Sequence, residues 1–142
     1  MQWILAGIVS GLLLGLSGVH AYWLFGGKKG LGAAVPSSET GPLFRPGPSA
    51  VALVTLLLAL AAWAVLELGG IVKLLYPEGM LPGIGWLLSG VFLLRGVGDF
   101  RWTGVFKRKT GTVFAKWDTL LYSPLCFAIG SALLALMLIR HE

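Results

Sequence analysis

Residues 95–118 read RGVGDFRWTGVFKRKTGTVFAKWD and contain six of the eleven lysines and arginines of this 142-residue chain, together with two of its six acids. The runs on either side of this stretch are apolar and carry very few charges. Apolar runs joined by short basic loops are typical of integral membrane proteins, because charged groups stay outside the hydrocarbon core. The sequence therefore predicts that the flanking runs are membrane helices and that residues 95–118 lie at the membrane surface.

The overall composition supports the same interpretation. Hydrophobic residues make up 56% of the chain, charged residues only 12%, and the mean hydropathy is +0.85. Ordinary soluble domains are about 25% charged, and a soluble fold of this size could not cover so much apolar surface. The net charge of +5 lies next to apolar runs, so it indicates membrane topology and contact with anionic headgroups. No motif indicates a nucleic-acid partner.

The predicted fold is a single all-α membrane domain covering residues 1–142, a four-helix bundle with up-down topology. Helices are expected at about residues 3–23, 50–69, 81–98 and 118–140, joined on one side by loops at 24–49 and 99–117. The first helix would be about 31 Å long, enough to cross a hydrocarbon core of about 30 Å. It lacks a basic segment before its apolar run, so we expect it to be retained and not removed as a signal peptide.

Glycines recur on one face of this first helix, at Gly7, Gly11 and Gly15, with Gly18 close to the same face. Burial from water does not drive helix association in lipid, and small residues allow two backbones to approach closely. We expect this face to pack against another helix of the same chain. The alternative is a face that contacts a second copy.

Two local features bear on the later helices. Pro124 allows either a long fourth helix that begins near Asp118 and kinks, or a shorter helix capped by Ser123. The longer helix is favoured, because about 24 Å is short for a membrane span. Glu67, the only charge of the second helix, is expected at the membrane interface, where Lys73 would be its partner.

The distribution of cations predicts the orientation of the chain. Four spans would place both termini and the second loop on one side, with Lys73 and Arg140. The other side would carry nine cations, namely Lys28, Lys29, Arg45, Arg95, Arg101, Lys107, Arg108, Lys109 and Lys116. By the positive-inside rule, the two long loops are cytoplasmic. We therefore expect a multi-pass inner-membrane protein with both termini outside.

Several ionisable and aromatic residues meet at the predicted cytoplasmic face. The candidates for catalysis are His20, Asp99 and Asp118, since histidine titrates near neutral pH and carboxylates serve as acids or bases. The candidates for ligand binding are Tyr22, Trp23, Arg95, Lys107 and Tyr122. Each also has a structural interpretation.

Arg95 and Asp99 lie one helical turn apart and would form an ion pair. Asp118 would cap the first turn of the fourth helix. His20 would be a hydrogen-bonded interfacial residue. No metal site and no cofactor are predicted, because Cys126 is the only cysteine and no second histidine is expected near His20.

Four segments together resemble a family of small bacterial membrane proteins known only as a domain of unknown function. They are GVHAYWLFGG at 18–27, RGVGDF at 95–100, GVFKR at 104–108 and TVFAKWDTLLYSPLC at 112–126. Members are similar in their predicted helices, in a His-x-Tyr-Trp segment after the first helix, and in an Asp followed by Tyr-Ser-Pro-Leu-Cys. The resemblance implies the fold and supplies no reaction. The matched positions are His20, Tyr22, Trp23, Gly27, Arg95, Asp99, Lys107, Asp118, Tyr122 and Pro124.

Three functions are compatible with these residues. The first is a membrane protein that binds a lipid or another amphiphile, by an anionic headgroup, at the cytoplasmic-side polar cluster. The second is a membrane enzyme acting on a lipid or isoprenoid, which requires His20 and the acids to converge on one apolar slot. The third is an accessory subunit of a membrane complex, suggested by the glycine face of the first helix.

Overall fold

The computed structural model describes residues 1–140, and helices dominate it. The main helices are α1 (Gln2–Leu24), α3 (Pro48–Leu68), α4 (Leu81–Val97) and α6 (Ser123–Arg140). Between them lie the short α2 (Leu31–Ala34), a two-stranded antiparallel hairpin of β1 (Ser37–Ser38) and β2 (Gly41–Pro42), and α5 (Val113–Trp117). A π-helical turn (Asp118–Tyr122) joins α5 to α6. His141, expected on the side opposite His20, lies outside the described residues.

Three helices are long and apolar enough to cross a membrane: Gln2–Leu24, Pro48–Leu68 and the continuous helix Val113–Arg140. This confirms an all-α chain of the membrane type. α4 is apolar but has only 17 residues, which corresponds to about 26 Å. The first three helices begin and end within two residues of the expected positions. The second begins at Pro48, two residues before the expected start.

The four main helices pack as two antiparallel pairs. Ser10 and Ser17 of α1 donate hydrogen bonds to carbonyls of α3 at 2.9 and 2.8 Å, and Ser89 of α4 donates to the Gly130 carbonyl of α6 at 2.9 Å. A buried core shared by α1, α3 and α6 joins the pairs; it includes Leu13, Val65, Ile129, Leu133 and Met137. Where apolar burial contributes little to helix association, such interhelical hydrogen bonds fix the register.

Glycines permit the closest helix contacts, but not the ones expected from the sequence. A methyl group at Gly69, Gly96 or Gly130 would overlap Ala6, Phe127 or Leu93, respectively. By contrast, the face formed by Gly7, Gly11, Gly15 and Gly18 is exposed, and added methyl groups there would meet nothing within 4 Å. The expectation of intramolecular packing was therefore wrong. α3 and α6 contact α1 through a different face, which carries Ala6, Val9 and Leu13.

The last helix begins earlier than expected. Thr112 caps it, since its side-chain oxygen accepts from the backbone N–H of Ala115 at 3.0 Å. Asp118 is therefore an internal, buried residue and not a cap. Ser123 is also buried inside the helix, and its hydroxyl has no hydrogen-bond partner in the described residues. The π-helical turn accommodates Pro124, which lacks an N–H and would collide with a regular preceding turn.

Glu67 is buried near the end of α3, and Lys73 is not its partner. Its carboxylate accepts from the indole N–H of Trp63 at 2.7 Å and from the backbone N–H of Leu75 at 2.6 Å. The N–H groups of Leu74 and Tyr76 each donate at 3.2 Å. Lys73 instead pairs with Glu78 on the surface. The Glu67 side chain thus anchors the segment after α3 by binding the backbone N–H groups of that segment. No side-chain pattern in the sequence indicated these bonds.

Candidate functional site

Asp118 is the centre of a buried ion cluster at the end of α4. Its carboxylate, 0% exposed, lies 3.0 Å from Nη2 of Arg95 and 3.1 Å from Nζ of Lys107. The backbone N–H of Gly104 donates to the same carboxylate at 2.8 Å. Both oxygens are therefore occupied, which defines this group of Arg95, Gly104, Lys107 and Asp118 as the Asp118 cluster.

Lys107 is almost completely buried in this cluster, with a side chain 3% exposed. Besides Asp118, its ammonium donates to the Gly104 carbonyl at 3.1 Å and to the Thr119 hydroxyl at 2.6 Å. The ammonium thus has one ion-pair partner and two hydrogen-bond acceptors. Burying a charge is tolerated only when it is paired and hydrogen-bonded, and Lys107 meets both conditions through contacts within the chain.

Two glycines bring the loop after α4 back onto the last helix. Gly98 and Gly104 have φ angles of +80° and +89°, and their backbones touch so closely that a methyl group on either would overlap the other. The N–H of Val105 donates to the Gly96 carbonyl at 3.0 Å and closes the turn. Left-handed backbone conformations of this kind favour glycine. This contact places Gly104 and Lys107 against Asp118.

Asp99 organises the loop itself and is not paired with Arg95. α4 ends at Val97, so Asp99 is not one helical turn beyond Arg95 on the same helix. Its carboxylate accepts from the backbone N–H groups of Thr103, Trp102 and Arg101 at 2.8–3.0 Å. These bonds stabilise its charge in place of the cationic partner that we expected.

The same bonds, those from Thr103 and Trp102 foremost, lower the pKa of Asp99 to about 2. The unfolded value is about 3.9. A lowered pKa stabilises the folded loop above the unfolded value, and this contribution disappears as the pH falls toward 2. Acidification within the physiological range therefore leaves the Asp99 turn intact.

A group of cations and aromatic rings covers the outer surface of this loop. We call Phe100, Arg101, Trp102, Phe106, Arg108 and Lys109 the basic platform. The side chains of Arg101 and Lys109 lie 5.5 and 5.9 Å from the Trp102 ring, and the rings of Phe100 and Phe106 are 6.2 Å apart. Asp99, Phe100, Arg101, Arg108 and Lys109 line a cavity of about 460 Å³.

His20 lies in a different group of contacts. Its Nδ1 is 2.8 Å from the Leu16 carbonyl of its own helix, and its ring meets the Trp23 ring edge-on at 5.1 Å. The Trp23 indole donates to the Lys29 carbonyl at 2.9 Å. Tyr22 packs its ring over Gly27. These contacts build the corner at the end of α1.

Tyr122 belongs to a third group, which fastens the first loop to the last helix. Its hydroxyl donates to the Ala33 carbonyl of α2 at 3.0 Å, and its ring lies 5.9 Å from the Phe114 ring. Residues 33 and 122 are distant in sequence, and no local pattern linked them. The hydroxyl of Tyr122 therefore has a structural partner.

The structure thus unites Arg95, Lys107 and Asp118 and leaves the other candidates apart. Across residues 1–140, no hydrogen bond or ion pair joins His20 to Asp99 or Asp118. Nor does any group of three or more His, Cys, Asp or Glu side chains in that range fit a metal ion. Sequence reasoning missed Gly104 and Thr119 as partners. For Gly104, the available signal in the sequence was a glycine inside a basic segment.

Three helices long and apolar enough to cross a membrane indicate a protein of the helical membrane class. Comparison with family models specifies the family. The chain belongs to the family described as "Protein of unknown function (DUF3995)", whose model matches residues 13–133. This confirms the resemblance noted from the sequence. The matched range contains both the Asp118 cluster and the basic platform. No curated protein and no solved structure matches the chain.

Proposed function

We propose that this protein binds the anionic headgroup of a lipid or a similar amphiphile at the basic platform, on the cytoplasmic side of a cell inner membrane. The observation that carries the proposal is the composition of the platform cavity. Three exposed cations, Arg101, Arg108 and Lys109, and the Phe100 ring surround about 460 Å³. Cations attract anionic lipids, and aromatic rings favour the membrane interface.

The orientation is part of the proposal. If α4 is the fourth span, nine of the eleven cations lie on one side with the loops 24–49 and 99–117. The positive-inside rule then makes these loops cytoplasmic and both termini external. A short span such as α4 is accommodated by local thinning of the bilayer. A reporter fused to the C-terminus should read external, and a cytoplasmic reading would contradict this topology.

The geometry also decides which cations are available to a headgroup. Lys107 is buried and fully hydrogen-bonded, and one guanidinium nitrogen of Arg95 is held by Asp118. Arg101, Arg108 and Lys109 are exposed, and Asp99 adds one opposing charge to the same cavity. Three cations and one acid leave a net charge of +2, so the platform attracts anions.

The triple variant Arg101→Gln, Arg108→Gln, Lys109→Gln should bind anionic lipid more weakly. Each cation near a headgroup contributes about 1 kcal/mol, so the three together predict a loss of about 100-fold in affinity. The measurement is native mass spectrometry of the protein in neutral detergent, titrated with phosphatidylglycerol and, separately, with zwitterionic phosphatidylcholine. Phosphatidylcholine binding should be unchanged.

A matched control carries the same charge change on the other loop of the same side. Lys28, Lys29 and Arg45 are exposed and lie outside the platform. Their replacement by glutamine should reduce phosphatidylglycerol binding much less. Equal losses in the two triple variants would indicate diffuse attraction, and no loss in the platform variant would contradict the proposed site.

An accessory subunit is the second candidate, and the exposed glycine face of α1 favours it. A methyl group added at Gly7, Gly11 or Gly15 would meet nothing within 4 Å in the part of the chain that the structure describes, and such faces support helix association in lipid. Co-purification of one defined membrane protein, lost when Gly11 is replaced by leucine, would support this candidate. The membrane-enzyme alternative has no comparable contact in its favour, since His20 is not joined to an acid.

A further inference from the structure

A second cavity lies at the other end of the helices, far from the basic platform. It has a volume of about 590 Å³ and is lined by the ends of all four main helices, including Gln2, Leu68, Leu81 and Arg140. Arg140 is 22 residues from Asp118 along one continuous helix, a separation of about 33 Å. Ligand cavities typically measure about 300–1,000 Å³, so this one has the size of a small-molecule site.

Three of the four charged side chains that line this cavity, all except Arg140, have close partners within the protein. The Glu67 carboxylate accepts four hydrogen bonds, from one indole and three backbone N–H groups. Lys73 and Glu78 pair with each other at 3.1 Å. Burial, followed by the charge of Glu67, raises the pKa of Tyr76, so its phenol stays protonated and adds no charge.

Arg140 is the exception. Its Nη1 donates to the Leu68 carbonyl at 3.4 Å, a long hydrogen bond. Within residues 1–140 it forms no ion pair with an acid. Arg140 lies in the last turn of α6, where the helix dipole stabilises a cation. Among the charged side chains of the lining within residues 1–140, its guanidinium is the one that has no acidic partner and retains hydrogen-bond donors for a ligand.

The remaining lining is partly apolar. Its apolar part, which we call the wall, includes Leu68, Leu74 and Leu81, and Leu74 is 82% exposed, so the lining reaches the outside of the protein. A planar guanidinium matches the geometry of a carboxylate or a phosphate, which it binds through two parallel hydrogen bonds. An apolar wall beside it suits an alkyl chain.

We propose that this cavity binds an amphiphile with one anionic headgroup, held by Arg140, and an apolar chain packed against Leu68, Leu74 and Leu81. The site is independent of the basic platform, since the two share no residue. Its ligand has two possible sources, a free amphiphile such as a fatty acid or a phospholipid of the surrounding leaflet. The shared chemistry is the anionic head joined to a hydrocarbon chain.

The test measures binding to the purified full-length protein in neutral detergent by native mass spectrometry. Three probes are compared: laurate, phosphatidylglycerol and inorganic phosphate. Saturable binding of laurate, of phosphatidylglycerol or of both, weakened by the cavity variants described next, supports the proposal and identifies the source. The proposal is overturned if neither amphiphile binds, or if inorganic phosphate binds as tightly as the amphiphiles, because the alkyl chain would then contribute nothing.

Two variants locate the site. Arg140→Gln removes the charge and should weaken binding of the amphiphile at least tenfold. Leu74→Trp adds bulk at an exposed position of the wall, so it should weaken binding while the fold stays intact. This variant provides the test if Arg140→Gln is unstable. The matched control, Lys28→Gln, removes an exposed cation that lines neither cavity and should leave binding unchanged. Unchanged affinity in both cavity variants, or equal losses in Arg140→Gln and Lys28→Gln, would overturn the assignment.

Discussion

Replacing Asp118 by asparagine should lower the free energy of unfolding by about 3–5 kcal/mol. The substitution keeps the shape of the side chain but removes the only carboxylate within residues 1–140 that contacts Lys107, whose side chain is 3% exposed. Breaking a buried ion pair by removing one partner leaves a buried charge without compensation. The measurement is thermal or denaturant unfolding of the purified protein in neutral detergent, followed by circular dichroism.

The control for this variant is Asp99→Asn. Asp99 is exposed and accepts only backbone N–H bonds, and the amide oxygen of asparagine accepts the same bonds, so its loss of stability should be much smaller. The double variant Lys107→Met, Asp118→Leu should recover part of the stability, because apolar groups of similar size often replace a buried ion pair without loss. If Asp118→Asn were as stable as the unchanged protein, the Asp118 cluster would not support the fold.

The apolar runs predicted the helices well because composition and length are properties of each segment alone. α1, α3 and α4 follow from uninterrupted apolar stretches between segments rich in glycine, proline and charge. The start of the last helix did not follow in this way. Thr112 and the five residues after it look like loop beside the cluster of cations, yet they form a helix that packs against α2 and β1, which are distant in sequence.

Which face of a helix packs against its neighbours was not encoded in the glycine pattern. Gly7, Gly11 and Gly15 suggested a packing face, yet α1 uses its alanine and larger apolar residues instead. How two helices pack together depends on the surfaces of both helices. The sequence of one helix determines only one of these two surfaces. For the same reason, the sequence did not indicate that helices would approach closely at the isolated glycines 69, 96 and 130.

The candidate site was predicted in part. Arg95, Lys107 and Asp118 were singled out by their charge in an apolar chain, and they do meet. The sequence could not pair them correctly, since Arg95 had a nearer acid in Asp99. Pairing depends on the turn at Gly98, which directs Asp99 away from the helix and returns Lys107 to it. A backbone φ angle at a single residue therefore decides which charges are partners.

That dependence makes Gly104 the second position at which a small change should have a large effect. Gly104→Ala should lower the free energy of unfolding by at least about 3 kcal/mol, more than backbone strain of about 1–2 kcal/mol alone. Gly104 has a φ angle of +89°, and an added methyl group would overlap the Val97 carbonyl oxygen and the Gly98 backbone. Relief of that overlap requires the loop to move, which separates the Gly104 N–H from Asp118.

Gly111→Ala separates these two contributions. Gly111 has a similar φ angle of +92°, but an added methyl group there would meet nothing within 4 Å. Gly111→Ala should therefore have the backbone strain without the steric overlap. Its free energy of unfolding should fall by about 1–2 kcal/mol. Unfolding in neutral detergent measures both variants, and hydrogen exchange at residues 101–107 reports whether the loop has opened. Equal losses in the two variants would mean that the Gly98–Gly104 contact does not hold Lys107 against Asp118. A larger loss in Gly104→Ala, with faster exchange confined to this loop, would show that glycine at 104 is what allows the buried charge cluster to form beside the end of α4.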